Sequence, residues 1–156
     1  WRALTQFVPG SPHGWRIAHS RRRFLTFVRN SRREFLADAG ASLLIVDEKS
    51  EDVLGGLNMR HLRRSATQSI NIGYWMGSRH TRRGIMTAAV KASVDFAFNH
   101  MHLHRVEAAC QPDNWASLRV LEKAGFEREG FARSFLKIDG EWRDHVLLAR
   151  IREYRS

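Results

Sequence analysis

The segment that most restricts what this chain can fold into runs from Gln68 to Asn99. Gln68–Met76 reads as a strand that stops at Gly77; Arg79-His80-Thr81-Arg82-Arg83-Gly84 follows, and Ile85 then opens a helix that lasts to Asn99. A helix amino terminus carries unpaired N–H groups and about half a positive charge, and the two together hold phosphate oxygens. Arg82 and Arg83 add cationic reach, while Gly84 lets the backbone come close to a ligand. The segment is a candidate diphosphate cradle; the simpler reading is a basic loop before a helix. It has neither the Gly-x-Gly-x-x-Gly of dinucleotide folds nor the Gly-Lys-Ser of P-loops.

Around it the apolar pattern predicts a regular succession of elements. Pro9, Gly10, Pro12 and Gly14 mark a loop at the start. From Ala18 to Ala39, Phe24, Leu25, Phe27, Val28, Phe35 and Leu36 recur at helical spacing among Arg21, Arg22, Arg23, Arg29, Arg32 and Arg33, which predicts a basic amphipathic helix. Ala41–Val46 and Val53–Met59 read as paired antiparallel strands, with Gln68–Met76 as the third. After the Ile85 helix come a strand over His104–Cys110, a turn at Pro112-Asp113-Asn114 and a helix over Trp115–Ala124, stopped by Gly125 where a left-handed C-cap belongs. Phe131–Ile138 and Val146–Ile151 read as strands joined through Asp139-Gly140. The order is helix, three antiparallel strands, helix, strand, helix, two strands.

With 156 residues, 43% hydrophobic and 27% charged, the chain is expected to form a single globular domain over 1–156. No stretch approaches about 18 uninterrupted apolar residues, which argues against a membrane span. A single cysteine, Cys110, excludes an intrachain disulfide and fits a reducing, intracellular compartment. The net charge of +10 favours polyanions: a nucleotide with several phosphates, a ribosomal surface, RNA or an acidic peptide.

Four motifs then point to a family. Ile72-Gly73-Tyr74-Trp75-Met76-Gly77, Arg83-Gly84-Ile85-Met86-Thr87-Ala88-Ala89, Asn114-x-x-Ser117 and Glu122-Lys123-Ala124-Gly125-Phe126 together resemble GNAT acetyltransferases of the Rim type. Those enzymes acetylate the amino terminus of ribosomal proteins, and Lys137-Ile138-Asp139-Gly140-Glu141-Trp142-Arg143-Asp144-His145-Val146-Leu147 is similar to the RimJ branch. The resemblance implies an α/β GNAT fold, a mostly antiparallel, splayed central sheet flanked by helices. It also implies acetyl-coenzyme A as cosubstrate, no metal, a protein amino terminus as acceptor and a cytoplasmic location. Since the chain opens on Trp1, within the family's first helical region, the resemblance leads us to expect a sheet that lacks an edge strand or receives it from upstream residues.

In such folds the strand ending near Gly77 splays from His104–Cys110, and the pantetheine arm lies between them against the backbone of Tyr74, Trp75 and Met76. The resemblance assigns the diphosphate to Arg79, Thr81, Arg82, Arg83 and Gly84 with the helix start at Ile85, Met86 and Thr87. Thr81 and Met86 depart from the usual Gln or Arg and Gly or Ala. Asn114 is expected to bond the pantetheine arm, to cap its helix, or both. Many relatives place a Tyr seven residues beyond this Asn to protonate the departing thiolate; here Leu121 stands there, which leaves Ser117 as the candidate general acid. Some relatives carry Glu where this chain has Asn71, an amide that cannot act as a base, so Glu107 and His104 are the base candidates.

Other features have plainer readings. His100, His102 and His104 would share one face of an extended chain, as metal ligands do, but without acidic or cysteine neighbours. Cys110 reads as a small core residue. Tyr74, Trp75 and Trp115 could shape an acceptor pocket or belong to the core. The basic helix is a candidate contact for ribosomal RNA, a solvated face being the simpler assignment. Two rival functions follow: acetylation of a small amine such as an aminoglycoside or polyamine, and an RNA- or ribosome-binding module with weak catalysis.

Overall fold

A computed structural model describes residues 21–153, apart from the side chains of residues 21–25, 27 and 28. The loop expected near Pro9 and the helix start expected at Ala18 lie outside the described residues. Helix α1 spans Arg21–Leu36. Phe35 and Leu36, read as part of its apolar face, are exposed, and the helix packs beside the edge strand β1.

Strands β1 (Ala41–Val46), β2 (Val53–Arg63) and β3 (Ser69–Met76) form an antiparallel meander. Helix α2 (Ile85–Asn99) leads to β4 (Arg105–Cys110), helix α3 (Trp115–Lys123) follows, and β5 (Glu127–Ile138) and β6 (Glu141–Ile151) close the chain as a hairpin. The sheet order is β1-β2-β3-β4-β6-β5, and β3–β4 is its parallel pair. This is the mostly antiparallel sheet expected above.

Alternation decides which face is covered. Ile70, Ile72 and Tyr74 on β3, and Val106, Ala108 and Cys110 on β4, are buried in one cluster with the α2 residues Met86, Val90, Val94 and Ala97 and with Leu118 and Leu121 of α3. The α2 spacing is that of a single helical stripe. Each of the Val, Leu, Ile and Met side chains among them stabilises the fold by roughly 1.5–3 kcal/mol on leaving water.

Helix α3 ends as its sequence dictates. Gly125 adopts φ +85°, its N–H meets the carbonyl of Glu122 at 3.0 Å, and the N–H of Phe126 meets that of Leu121 at 3.0 Å. This is a Schellman closure, sealed by burial of Leu121 and Phe126. The β5–β6 turn places Asp139 at φ +50° and Gly140 at φ +87°, as a two-residue hairpin requires. Both strands start earlier than the apolar pattern suggests, because Glu127–Gly130 and Glu141–Asp144 are exposed polar stretches held by cross-strand pairing.

Candidate active site

Strands β3 and β4 pair only through Ser69↔Arg105, Ile70↔Val106 and Asn71↔Glu107. Beyond Asn71, β3 continues against β2 as far as Met76; beyond Glu107, β4 continues against β6 as far as Cys110. The facing edges of Ile72–Met76 and Ala108–Cys110 therefore part into a wedge, whose inward backbone groups have no ladder partner across it.

The wedge opens into a groove of about 1160 Å³ lined by β3, the loop after it, the first turn of α2 and one side of α3. Of the residues expected to hold a coenzyme, Tyr74, Trp75, Met76, Thr81, Arg82, Arg83, Gly84, Ile85, Met86, Thr87, Asn114 and Ser117 all line it. Arg79 is exposed and outside the lining. No carboxylate appears among the described lining residues.

At the loop, Gly84 (φ +76°) precedes α2, no side chain caps the helix, and its first turn carries no acid. The amides of Ile85, Met86 and Thr87 thus present the unpaired donors of a helix start. Arg82 sits at φ +62°, a left-handed conformation that costs a side-chain-bearing residue about 1–2 kcal/mol. Thr81, the departure noted in the sequence, donates its hydroxyl to the Ser78 carbonyl at 3.0 Å and closes the short turn Ser78–His80.

On α3, the side-chain oxygen of Asn114 accepts the Ser117 N–H at 3.1 Å. The cap uses the oxygen, so the amide's NH₂ is left for the groove, and the two readings of Asn114 are compatible. The Tyr74 phenol is buried and lies 2.8 Å from Ser117 Oγ, and it also donates to the Ser117 carbonyl at 3.1 Å. Burial pushes this phenol well above its ordinary range, which keeps it a neutral donor. The Cys110 thiol is buried and likewise pushed up by burial. It lies 3.7 Å from the Asn114 carbonyl, as a small core residue would.

The two base candidates do not line the groove. Glu107 is on the opposite sheet face from Val106 and Ala108; one oxygen accepts from Arg105 Nε at 2.9 Å and the other from Arg63. Arg63 also donates to Asn71 at 3.4 Å, and Arg105 continues the chain to Glu129 at 2.9 Å, whose carboxyl it holds below the usual range. His104 lies at the closed end, its N–H bonded to the Gln68 carbonyl at 2.9 Å. The three histidines do not alternate along a strand, since His100 caps α2, His102 is left-handed at φ +54°, and β4 starts only at Arg105.

Two cationic groove residues escaped the sequence reading. Arg119 and Lys123 line its α3 side. Their four-residue spacing after the Asn114 cap marks one helix face, but not that this face borders a cavity.

Among the described residues no His, Cys, Asp and Glu cluster could hold a metal ion, and no helix is long and apolar enough to cross a membrane. Residues 2–127 match the family described as "Acetyltransferase (GNAT) domain". The chain is 45% identical over 105 residues to "Probable N-acetyltransferase YjcK" of Bacillus subtilis strain 168, covering 67% of this chain and 58% of that protein. It is 34% identical, again over 105 residues, to "[Ribosomal protein uS5]-alanine N-acetyltransferase" of Escherichia coli strain K12, covering 67% of this chain and 54% of the relative. The matched part is thus less than three-fifths of either relative. Among solved structures, Mycobacterium smegmatis RimJ in complex with CoA-disulfide superposes with a TM-score of 0.86 at 33% identity, covering 96% of this chain and 71% of that one.

Proposed function

The chain belongs to the GNAT acetyltransferase family, and from that premise we propose that it moves acetyl from acetyl-coenzyme A to a primary amine, the amino-terminal residue of a ribosomal protein. The acceptor class, with alanine as its residue, is taken from the Escherichia coli relative, and the coenzyme from the Mycobacterium smegmatis structure. One observation carries the reading: the mouth of the β3/β4 wedge and the uncapped first turn of α2 open into the same groove. That groove offers amides and arginines to a diphosphate at one end and an unpaired strand edge to an extended amide-containing arm at the other. Its volume of about 1160 Å³ lies somewhat above the usual range of small-molecule sites.

The chemistry asks little of side chains. The amine nitrogen attacks the thioester carbonyl, and the negative charge growing on that oxygen is met by a backbone N–H of β3, worth on the order of 3 kcal/mol. As the carbon–sulfur bond breaks, Ser117 Oγ supplies the proton to the sulfur, with Asn114 NH₂ and Tyr74 holding the arm and the hydroxyl. An α-amine has a pKa near 8, so a fraction is already neutral at pH 7 and its surplus proton needs only a weak base or water. Glu107 is the base candidate nearest the fork, because it is the last β4 residue paired to β3.

Calorimetric titration with acetyl-coenzyme A, followed by thiol release with a panel of acceptors, tests the reading. Peptides with amino-terminal alanine are expected to release coenzyme A. Release with aminoglycosides or polyamines alone would overturn the protein acceptor; failure to bind acetyl-coenzyme A would overturn the enzyme.

A further inference from the structure

The acceptor nitrogen must shed a proton, and neither residue expected to take it lines the groove. A histidine on the other face of the sheet has the geometry for that step. Strand β4 ends at Cys110, paired with Val146, so His145 is the first β6 residue past that end and stands at the mouth of the wedge. Val146 packs against the core under the helices; by alternation His145 faces the opposite side. Counted on from Asn71↔Glu107, it is level with Trp75 across the fork. Trp75 leaves that side of the wedge clear, because its indole lies over Gly56 of β2, where a Cβ would come within 2.6 Å of Nε1.

The imidazole is held in one state. His145 is buried, and its Nδ1 lies 3.0 Å from the Arg143 carbonyl oxygen. A carbonyl only accepts, so Nδ1 carries the hydrogen and Nε2 of the neutral ring keeps its lone pair. Nε2 has no partner among the described residues, yet it is not sealed from solvent. Phe135 meets the ring edge-on, with centroids 5.8 Å apart. A bulge between Ala132 and Leu136 aims it there, fixed by the Ser134 N–H donating to Asp144 at 2.7 Å. The charged groups around the ring are otherwise engaged or solvated: Arg143 pairs with Glu141, Asp144 holds Ser134, Arg133 is exposed, and Glu107 on the same sheet face is bound by Arg63 and Arg105.

Resting on the acetyl-transfer reading, we propose that His145 is the general base, working from the sheet face opposite the coenzyme groove. As the neutral amine attacks, the nitrogen–carbon bond forms and the nitrogen, now positive, passes one proton to Nε2. The carbon–sulfur bond breaks and the sulfur takes the proton of Ser117; the serine regains one from solvent, and the imidazolium returns its own. The Arg143 carbonyl favours the imidazolium as well as fixing the tautomer, since Nδ1–H donates to it in both states. A purely structural His145 would need the Arg143 contact alone.

His145→Asn separates the two roles, because its amide can still donate to the Arg143 carbonyl but has no titratable nitrogen. With a peptide that begins with alanine, the variant is expected to lose about a hundredfold in kcat/KM, while calorimetry shows its acetyl-coenzyme A affinity unchanged. In the unaltered protein both His145 and the α-amine must be deprotonated. The logarithm of kcat/KM therefore climbs from acid pH with a slope of about two that falls to about one, whereas His145→Asn climbs with about one throughout. Nitrogen NMR of the unaltered chain without ligands is expected to show the neutral ring protonated at Nδ1, a readout independent of turnover. A slope of about one in the unaltered protein, a ring protonated at Nε2, or a folded variant within about threefold of the original rate each overturns the proposal. Should the variant not fold, the slope and the tautomer decide. If the unaltered chain binds acetyl-coenzyme A but acetylates no amine, or does not bind it, the acetyl-transfer reading fails and the base assignment with it.

Discussion

The phenol oxygen of Tyr74 stands 2.8 Å from Oγ of Ser117 and 3.1 Å from the same residue's carbonyl oxygen. A β3 side chain is thereby tied to the first turn of α3, across the mouth of the wedge. The contact fixes how far the mouth opens and where the serine hydroxyl points, which matters because Leu121, buried in the core, offers no hydroxyl one turn further on.

If Ser117 protonates the departing sulfur and Tyr74 only holds it, their losses are not independent. Ser117→Ala is expected to lower kcat about ten- to a hundredfold, the low end for acid catalysis because a thiol leaves readily. Tyr74→Phe, which keeps the ring, lowers kcat less. The double variant is expected to be no slower than Ser117→Ala alone. Steady-state kinetics on the three variants checks this, and multiplicative losses would separate the two residues.

Tyr74 also makes stability depend on alkaline pH. Burial raises its pKa in the folded protein above that in the unfolded chain, so the native state holds the proton more tightly. The resulting contribution is complete below about pH 10 and is lost as the pH rises beyond it. Buried Cys110 is shifted the same way and stays in both proteins. Tyr74→Phe is therefore expected to be about 1 kcal/mol less stable at neutral pH, yet to lose less stability than the unaltered chain on going alkaline. Denaturant midpoints across that range measure the difference.

Asn114 can be divided into its two roles by substitution. Asn114→Asp keeps an oxygen to accept the Ser117 N–H and adds a charge favourable to a helix start, but removes the NH₂ donor and puts an anion in the groove. Its thermal midpoint should hold or rise while acetyl-coenzyme A affinity falls. Asn114→Ala should lose both, with about 1 kcal/mol of stability. A loss of stability without loss of affinity in the alanine variant would reduce Asn114 to a cap.

Arg82 carries a backbone cost that a glycine would not. Arg82→Gly relieves about 1–2 kcal/mol of left-handed strain, offset in part by the greater freedom of glycine in the unfolded chain. The thermal midpoint is expected to stay level or rise slightly, while affinity for acetyl-coenzyme A falls about tenfold with the lost cation. A destabilised variant would mean that the side chain holds the loop together.

What could be read in advance follows from how local each signal is. Ala41–Val46 and Ile85–Asn99 were legible to the residue because dense apolar patterns are bounded by Gly40, Asp47 and Gly84. The placing of the loop before α2 was legible for the same reason: strand, glycine and helix start are contiguous. The Tyr74–Ser117 contact joins residues 43 positions apart, and the Arg63–Glu107 pair spans 44, so nothing local encodes either. Arg119 and Lys123 look like any solvated helix face until the loop from β3 is seen opposite them. Phe35 and Leu36 misled because helical spacing shows that a face exists, not that anything covers it.

Glu107 is where sequence and structure pull apart most. Its position at the fork recommends it as the base, but Arg63 and Arg105 each hold one of its oxygens, and the ion pairs extend from β2 across the sheet to Glu129 on β5. A carboxylate so engaged must give up an arginine contact before it can take a proton from an amine. A base doing its full share contributes about a hundredfold or more. We therefore expect Glu107→Gln, which preserves shape and removes charge, to lower kcat/KM by less than about tenfold with the limb of the pH profile belonging to the amine intact. It should lower the denaturation midpoint, since Arg63 and Arg105 are left without their shared anion. A larger fall in kcat/KM, with that limb displaced, would instead assign proton removal to Glu107 and make the two arginines its positioning partners.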